Sequence, residues 1–220
     1  MRIISLVVEG LEGAAESGCL EWLWTQDADI ICLQDTRCSE YSLSGDRFFP
    51  AHYHPYFLDH FEDAGLNGVA IYCKKIPKAI IWGLGFEQFD SQGLYIQADY
   101  DQVSIGSVLV PSALAGEQAM AHKLAFLNQL SSHLEKVRHK RRGYILCGGW
   151  ELMAHHAENT VRDLWHVKLV FGAVLPGKFG HSLDARWQDV TELSKDTADH
   201  VHDLCALSDD QIPRAMVCKN

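Results

Sequence analysis

The sequence has no apolar run near the roughly 18–20 residues that a membrane-spanning helix needs, so nothing in it predicts a bilayer span. Its first residues, MRIISLVVEG, lack the charged n-region and small-residue cleavage site of a signal peptide and read directly as a strand. The expected location is the cytoplasm, with no membrane partner. No CxxC pair occurs and the seven cysteines are an odd number, which argues against a disulfide framework or a zinc ribbon. Cys32 and Cys147 sit in apolar strand-like runs, where a free thiol acts as a small hydrophobe. Positive charge is scarce too. The 19 lysines and arginines stand against 29 acidic residues, a formal net charge of −10. Since neutralised phosphates supply most non-specific affinity for nucleic acid, such a chain is not expected to grip it strongly alone. Any contact falls to a local patch or to a partner's charge. With no internal repeat, low-complexity tract or flexible linker, one domain over residues 1–220 is expected.

What is present alternates strand-like and helical runs. Arg2–Val8 reads as an apolar strand and Glu12–Gln26 as a helix, through Ala15, Cys19, Leu20, Trp22 and Leu23. Asp29–Gln34, Gly68–Cys73 and Ala79–Trp82 read as short strands, and Leu94–Asp99 with Val103–Val110 as a hairpin turning at Tyr100-Asp101. The clearest helix runs from about Gly116 to Lys140, its apolar positions Met120, Leu124, Leu127, Leu130, Leu134 and Val137 stepping by three or four. A strand over residues 144–148 follows. Val161–Leu175 is expected to be a helix followed by an apolar turn, and Arg186–Leu193 and Ala215–Val217 strands. This order suits a two-layered β core flanked by helices.

Several polar groupings are candidates for function. The run Lys136, Arg138, His139, Lys140, Arg141, Arg142 is the densest positive cluster in the chain. It serves either to meet RNA phosphates or an acidic partner, or simply as a solvated helix end complementing the dipole. His52-x-His54, His155-His156 and His200-x-His202 raise a zinc reading, but no Cys or carboxylate falls at ligand spacing to complete a tetrahedron. Trp22 and Trp24 read as core and rim packing, Trp22 the expected core member, and Trp82 as a strand-end aromatic.

The segments MRIISLVVEG, DADIICLQDTR, NGVAIYCKK, SVLVPSA, KLAFLNQLSSHLEK and YILCGGW, in that order over roughly residues 1–155, resemble the endonuclease/exonuclease/phosphatase superfamily in its exonuclease III branch. The resemblance implies a four-layer αββα sandwich, with residues 156–220 divergent and shortened. It also implies Mg²⁺-assisted hydrolysis of phosphodiesters, which needs oxygen ligands, a group to orient water and a proton shuttle. Carried over by position, the family's first-strand Asn falls on Val7 and its metal-binding Glu on Asp35 of LQDTR. Its phosphate-contacting Tyr falls on Leu109 and the neighbouring Asn on Ser112. The water-orienting Asp and its companion Asn fall on Gly149 and Glu151, and the last two working positions on Asp189 and Gln211. Gln211 cannot shuttle a proton and Gly149 cannot orient a water.

Within the superfamily, ICLQDTR, PKAIIWGLGFE and YIQADYDQVSIGSVLVPS resemble the bacterial catabolite repression control branch. That resemblance implies a non-catalytic protein acting in translational repression with the RNA chaperone Hfq on A-rich mRNA, needing no cofactor. The candidate RNA or partner contacts, read from the density of basic residues, are Lys136, Arg138, Lys140, Arg141 and Arg142. The alternative is a divergent Mg²⁺-dependent nuclease, AP endonuclease or phosphatase using Asp35, Glu151 and Asp189, with Asp35 and Glu151 as the metal-holding pair. A third reading is an inert paralogue with a repurposed cleft.

Overall fold

Short β-branched and apolar runs build two sheets in the computed structural model, which describes residues 1–113, 115–138, 143–149, 168–171, 173–174 and 216–219. The first sheet contains β1 (Arg2–Val7), β2 (Ile30–Gln34), β3 (His54–Leu58) and β4 (Val69–Cys73), joined at one side by β10 (Ala173–Val174) and β11 (Met216–Lys219). Its order is β10-β1-β2-β4-β3, with β11 also paired to β1. The second sheet runs β5 (Ala79–Trp82), β6 (Tyr95–Asp99), β7 (Val103–Leu109), β8 (Gly143–Gly149) and β9 (Lys168–Phe171). β1 and β2 are parallel, as are β7 and β8. The expected hairpin is present as the antiparallel pair β6–β7.

Strands β1, β2 and β4 are buried on two faces, so they read as nearly continuous apolar runs rather than as alternation. Between the sheets lie Ile3, Ile30, Cys32, Val69, Ile71, Ile96, Ile105, Ile145 and Cys147. Each fully buried aliphatic side chain of this kind contributes about 1.5–3 kcal/mol. On the outer face of the first sheet, α1 (Leu11–Glu16) and α2 (Cys19–Thr25) pack Leu11, Ala15, Leu20 and Leu23 onto Ile4, Leu6 and Ile31. On the outer face of the second sheet, Phe126, Leu130 and Leu134 of α4 (Glu117–Arg138) cover Tyr95, Val108 and Leu146, with Phe89 of the one-turn α3 (Glu87–Asp90) beside them. The layers are helix, sheet, sheet, helix, as expected.

Three local expectations change. The single helix over Glu12–Gln26 is two helices, because Gly18 takes a left-handed φ of 79° that interrupts the helical turn. Strand β3 is an addition. It is an edge strand that begins His54-Pro55, and proline, which cannot donate to a ladder, is tolerated at such an edge. The described part of Val161–Leu175 is β9 and β10 rather than helix: KLVF adds to β8 in parallel, extending the second sheet. The strand expected at Ala215–Val217 is β11, while Arg186–Leu193 lies outside the described residues.

Candidate functional site

Parallel pairing brings the C-terminal ends of β1, β2, β7 and β8 to one rim of the sandwich. Val7 is level with Gln34, and Leu109 with Gly149. β1 lies against β8 and β2 against β7 across the sheet interface. The sequence-derived positions Val7, Leu109 and Gly149 therefore meet in space. A β-carbon on Gly149 would stand 2.9 Å from Val7 Cγ2, 3.3 Å from Leu109 Cδ1 and 3.8 Å from Gln34 Cβ. Beneath them a buried polar bridge crosses the interface. Gln34 Nε2 donates to Ser107 Oγ at 2.9 Å, Ser5 Oγ donates to Gln34 Oε1 at 3.3 Å, and Ser107 Oγ donates to the Leu33 carbonyl at 3.4 Å.

Asp35 leaves β2 at this rim, in a turn held from both sides. The Asp35 and Thr36 carbonyls accept from Gly10 N and Leu11 N, both at 2.8 Å. Thr36 N and Arg37 N donate to the Gly68 and Asn67 carbonyls at 3.1 and 2.7 Å. Four non-glycine residues of this rim have positive φ: Glu9 (49°), Asp35 (59°), Arg37 (49°) and Asn67 (53°). Such a conformation is costly for L-residues and persists where surrounding bonds over-determine it. Gly68 (φ 99°) lets the turn come close, since a β-carbon there would lie 2.3 Å from Thr36 Oγ1.

The pinned turn aims two side chains at each other. Arg37 grips the Asp35 carboxylate as a fork, Nε to Oδ1 at 3.0 Å and Nη2 to Oδ2 at 2.6 Å. The Asp35 side chain is 14% exposed and that of Arg37 47%. The Asp35 hydrogen bond, with the charges of Asp35 and Glu9, raises the Arg37 pKa above its ordinary value, against some desolvation. Glu9 and Arg37 both belong to this cluster, and the sequence reading missed them as site residues. Their signal was present in the strand-end positions VEG and QDTR.

The other expected residues are distributed differently. Glu151, Asp189 and Gln211 lie outside the described residues, as do His139, Lys140, Arg141 and Arg142. Arg138 ends α4, and Lys136 places its ammonium 5.5 Å from the centre of the Phe86 ring. His52 stacks on Tyr53 at 4.7 Å, His54 starts β3, and among the described residues no three His, Cys, Asp or Glu side chains group as metal ligands. Trp22 and Trp24 both pack half-buried against the first core, and the Trp24 ring lies 5.6 Å from Tyr53 and 4.9 Å from Tyr72. Five described cysteines are buried free thiols. The Mg²⁺ implied by the resemblance does not fit the described residues as they stand. Val7 and Gly149 present no side-chain oxygen, and both oxygens of Asp35 already accept from a guanidinium whose positive charge opposes a dication beside it.

A model for the "Endonuclease/Exonuclease/phosphatase family" matches residues 11–150. The chain belongs to that family. Zebrafish DNA repair nuclease APEX1 is 30% identical over 164 residues, 74% of this chain and 52% of the relative. The exodeoxyribonuclease of Bacillus subtilis is also 30% identical over 164 residues, 74% of this chain and 62% of its own length. The chain thus spans about half to two thirds of these relatives. Among solved structures, the Xenopus laevis APE2 catalytic domain superposes with a TM-score of 0.61 at 24% identity, covering 69% of this chain and 59% of the other. An AP endonuclease from Archaeoglobus fulgidus gives 0.61 at 22%, covering 76% and 65%. These establish the fold as the exonuclease III and AP endonuclease type. They also correct the expectation of a chain without enzymatic activity. The family relatives are named as nucleases, and they point to an enzyme despite Val7, Leu109 and Gly149.

Proposed function

We propose that this family member is a nuclease acting on phosphodiesters of DNA, of the exonuclease III or AP endonuclease kind, through a divergent strand-end site. The 30% identity to two named DNA nucleases, each over 164 residues, carries the reading. The rim offers groups of matching chemistry. Arg37 is a fixed cation with half its side chain exposed, suited to a phosphate oxygen, and Asp35 holds its orientation. Glu9, exposed just past the end of β1, supplies a carboxylate for the role of proton acceptor from an attacking water. A net charge of −10 makes affinity depend on such local contacts rather than on a broad basic surface.

Purified full-length chain incubated with a duplex carrying one abasic site, with Mg²⁺ added and a catalytic relative as control, tests this. Cleavage that falls at least tenfold in Asp35→Ala supports the reading. No cleavage above buffer in the wild type overturns it. Retention of A-rich RNA together with Hfq, without cleavage of any substrate, would instead support translational repression. That role rests on the sequence resemblance alone, and no relative named above carries it.

A further inference from the structure

We infer that the Arg37 guanidinium is a built-in cation at Asp35, filling the position a divalent metal ion would take and presenting its outward N–H groups to a substrate phosphate. The inference rests on the nuclease reading for the identity of the phosphate; the competition between Arg37 and a metal at Asp35 stands on geometry alone.

Three observations carry it. The fork engages both carboxylate oxygens, at 3.0 and 2.6 Å, so a metal on either one would have to share that oxygen with a guanidinium N–H. A divalent ion such as Mg²⁺ requires oxygens at about 2.0–2.1 Å in near-octahedral array, and it would stand beside a guanidinium that cannot give up its proton. Second, the pair is not a loose surface contact. Both residues sit in left-handed backbone conformations, pinned by Gly10 N and Leu11 N on one side and by the Asn67 and Gly68 carbonyls on the other. Asp35 and Arg37 are two residues apart in that rigid turn, so the backbone itself delivers the guanidinium to the carboxylate. Third, Glu9 adds a second negative charge to the Arg37 environment. Two carboxylates thus face one positive charge at this rim, and the Arg37 guanidinium neutralises one of them. The partners Val7 and Gly149 fit the same account, because neither offers a side-chain oxygen that a metal would need.

The chemical consequence is specific. A phosphodiester approaching this rim meets a planar donor group with fixed direction in place of an exchangeable ion. Arg37 is then a positioning and charge-neutralising residue, with Asp35 its anchor rather than a metal ligand.

The test is Mn²⁺ titration of the full chain by calorimetry, comparing wild type with Arg37→Met, which keeps the side-chain length and removes the charge. Arg37→Gln serves as the second variant, and circular dichroism melting establishes that each is folded. The expected result is at least tenfold tighter Mn²⁺ binding in either variant than in wild type, with the gain abolished by adding Asp35→Asn. Equal affinity in wild type and both variants, within a factor of two, overturns the inference. So does tight wild-type binding that Asp35→Asn abolishes. Because the readout is binding, failure of DNA cleavage leaves this result intact, and a failed titration leaves the cleavage assay intact.

Discussion

Gly149 at the end of β8 faces Val7 at the end of β1 so closely that a β-carbon on the glycine would stand 2.9 Å from Val7 Cγ2. That is closer than packed side chains tolerate, and the β1 and β8 backbones are fixed by their ladders. Val7 and Leu109 therefore occupy space that a longer residue at 149 would need. Gly149→Ala should destabilise the chain by about 1–3 kcal/mol through overpacking. Val7→Ala in the same chain should recover part of it, so the two changes are non-additive. Urea unfolding of the single and double variants measures this. Additive losses would show that the contact is relieved elsewhere. Restoring a carboxylate at 149 thus needs a smaller residue at 7 in the same step.

Gly68 controls the Asp35 turn in a different way. Its φ of 99° and the 2.3 Å approach of a β-carbon to Thr36 Oγ1 leave no room for a side chain. Gly68→Ala should cost more than the ~1 kcal/mol of an ordinary glycine replacement, since both backbone strain and a clash oppose it. It should also displace Thr36 and with it the Asp35–Arg37 fork. The expected signature is a lowered urea midpoint together with weakened DNA binding. Thr36→Ser/Gly68→Ala should not rescue it, because the oxygen that clashes remains.

The sequence made the strands legible where they are short apolar runs with β-branched residues, as at Ile30–Gln34, Val69–Cys73 and Val103–Leu109. It hid β3, whose Pro55 and exposed His54 belong to an edge strand with no inner-strand pattern. The break between α1 and α2 depends on one left-handed glycine inside an otherwise periodic helix, so the period alone does not mark it. In the site, the positions Val7, Leu109 and Gly149 were legible through the family resemblance and do converge. Arg37 stands within LQDTR, but its pairing with Asp35 is made in a turn beyond the end of β2 whose shape the local sequence does not show. That turn depends on Gly68 and Asn67, some thirty residues away in sequence, as the backbone bonds from Thr36 and Arg37 show.

Gln34 stitches the two sheets where they meet the rim. Its amide serves Ser107 and its oxygen serves Ser5, all three residues being fully buried. Gln34→Leu removes both partners while leaving the hydroxyls in place, at a cost of about 1–3 kcal/mol. Adding Ser5→Ala and Ser107→Ala should restore much of that loss, since no orphaned hydroxyl would remain. Thermal melting of the single and triple variants distinguishes a polar-satisfaction effect from a simple loss of volume, which the triple variant would worsen.

Buried thiols set the response to alkali. Burial, the leading cause in each case, pushes Cys38 and Cys73 up to about 11 and Cys19 up to about 12, from an ordinary 9.0. The unfolded chain therefore releases these protons near pH 9, while the folded chain keeps them to pH 11 or beyond. Above pH 9 the folded state binds more protons than the unfolded, so stability falls as pH rises. Below pH 9 the contribution is complete and the curve is flat. Tyr53, pushed up to about 12 mainly by burial, adds a second decline starting near its ordinary 10.0. Urea midpoints measured from pH 7 to pH 11 should hold steady and then drop from about pH 9. Cys73→Ala should flatten the first part of that drop, whatever its effect on the midpoint at pH 7. A midpoint independent of pH to 10.5 would mean that these thiols ionise in the folded chain as easily as in water, and that the interior around Cys73 is open to solvent.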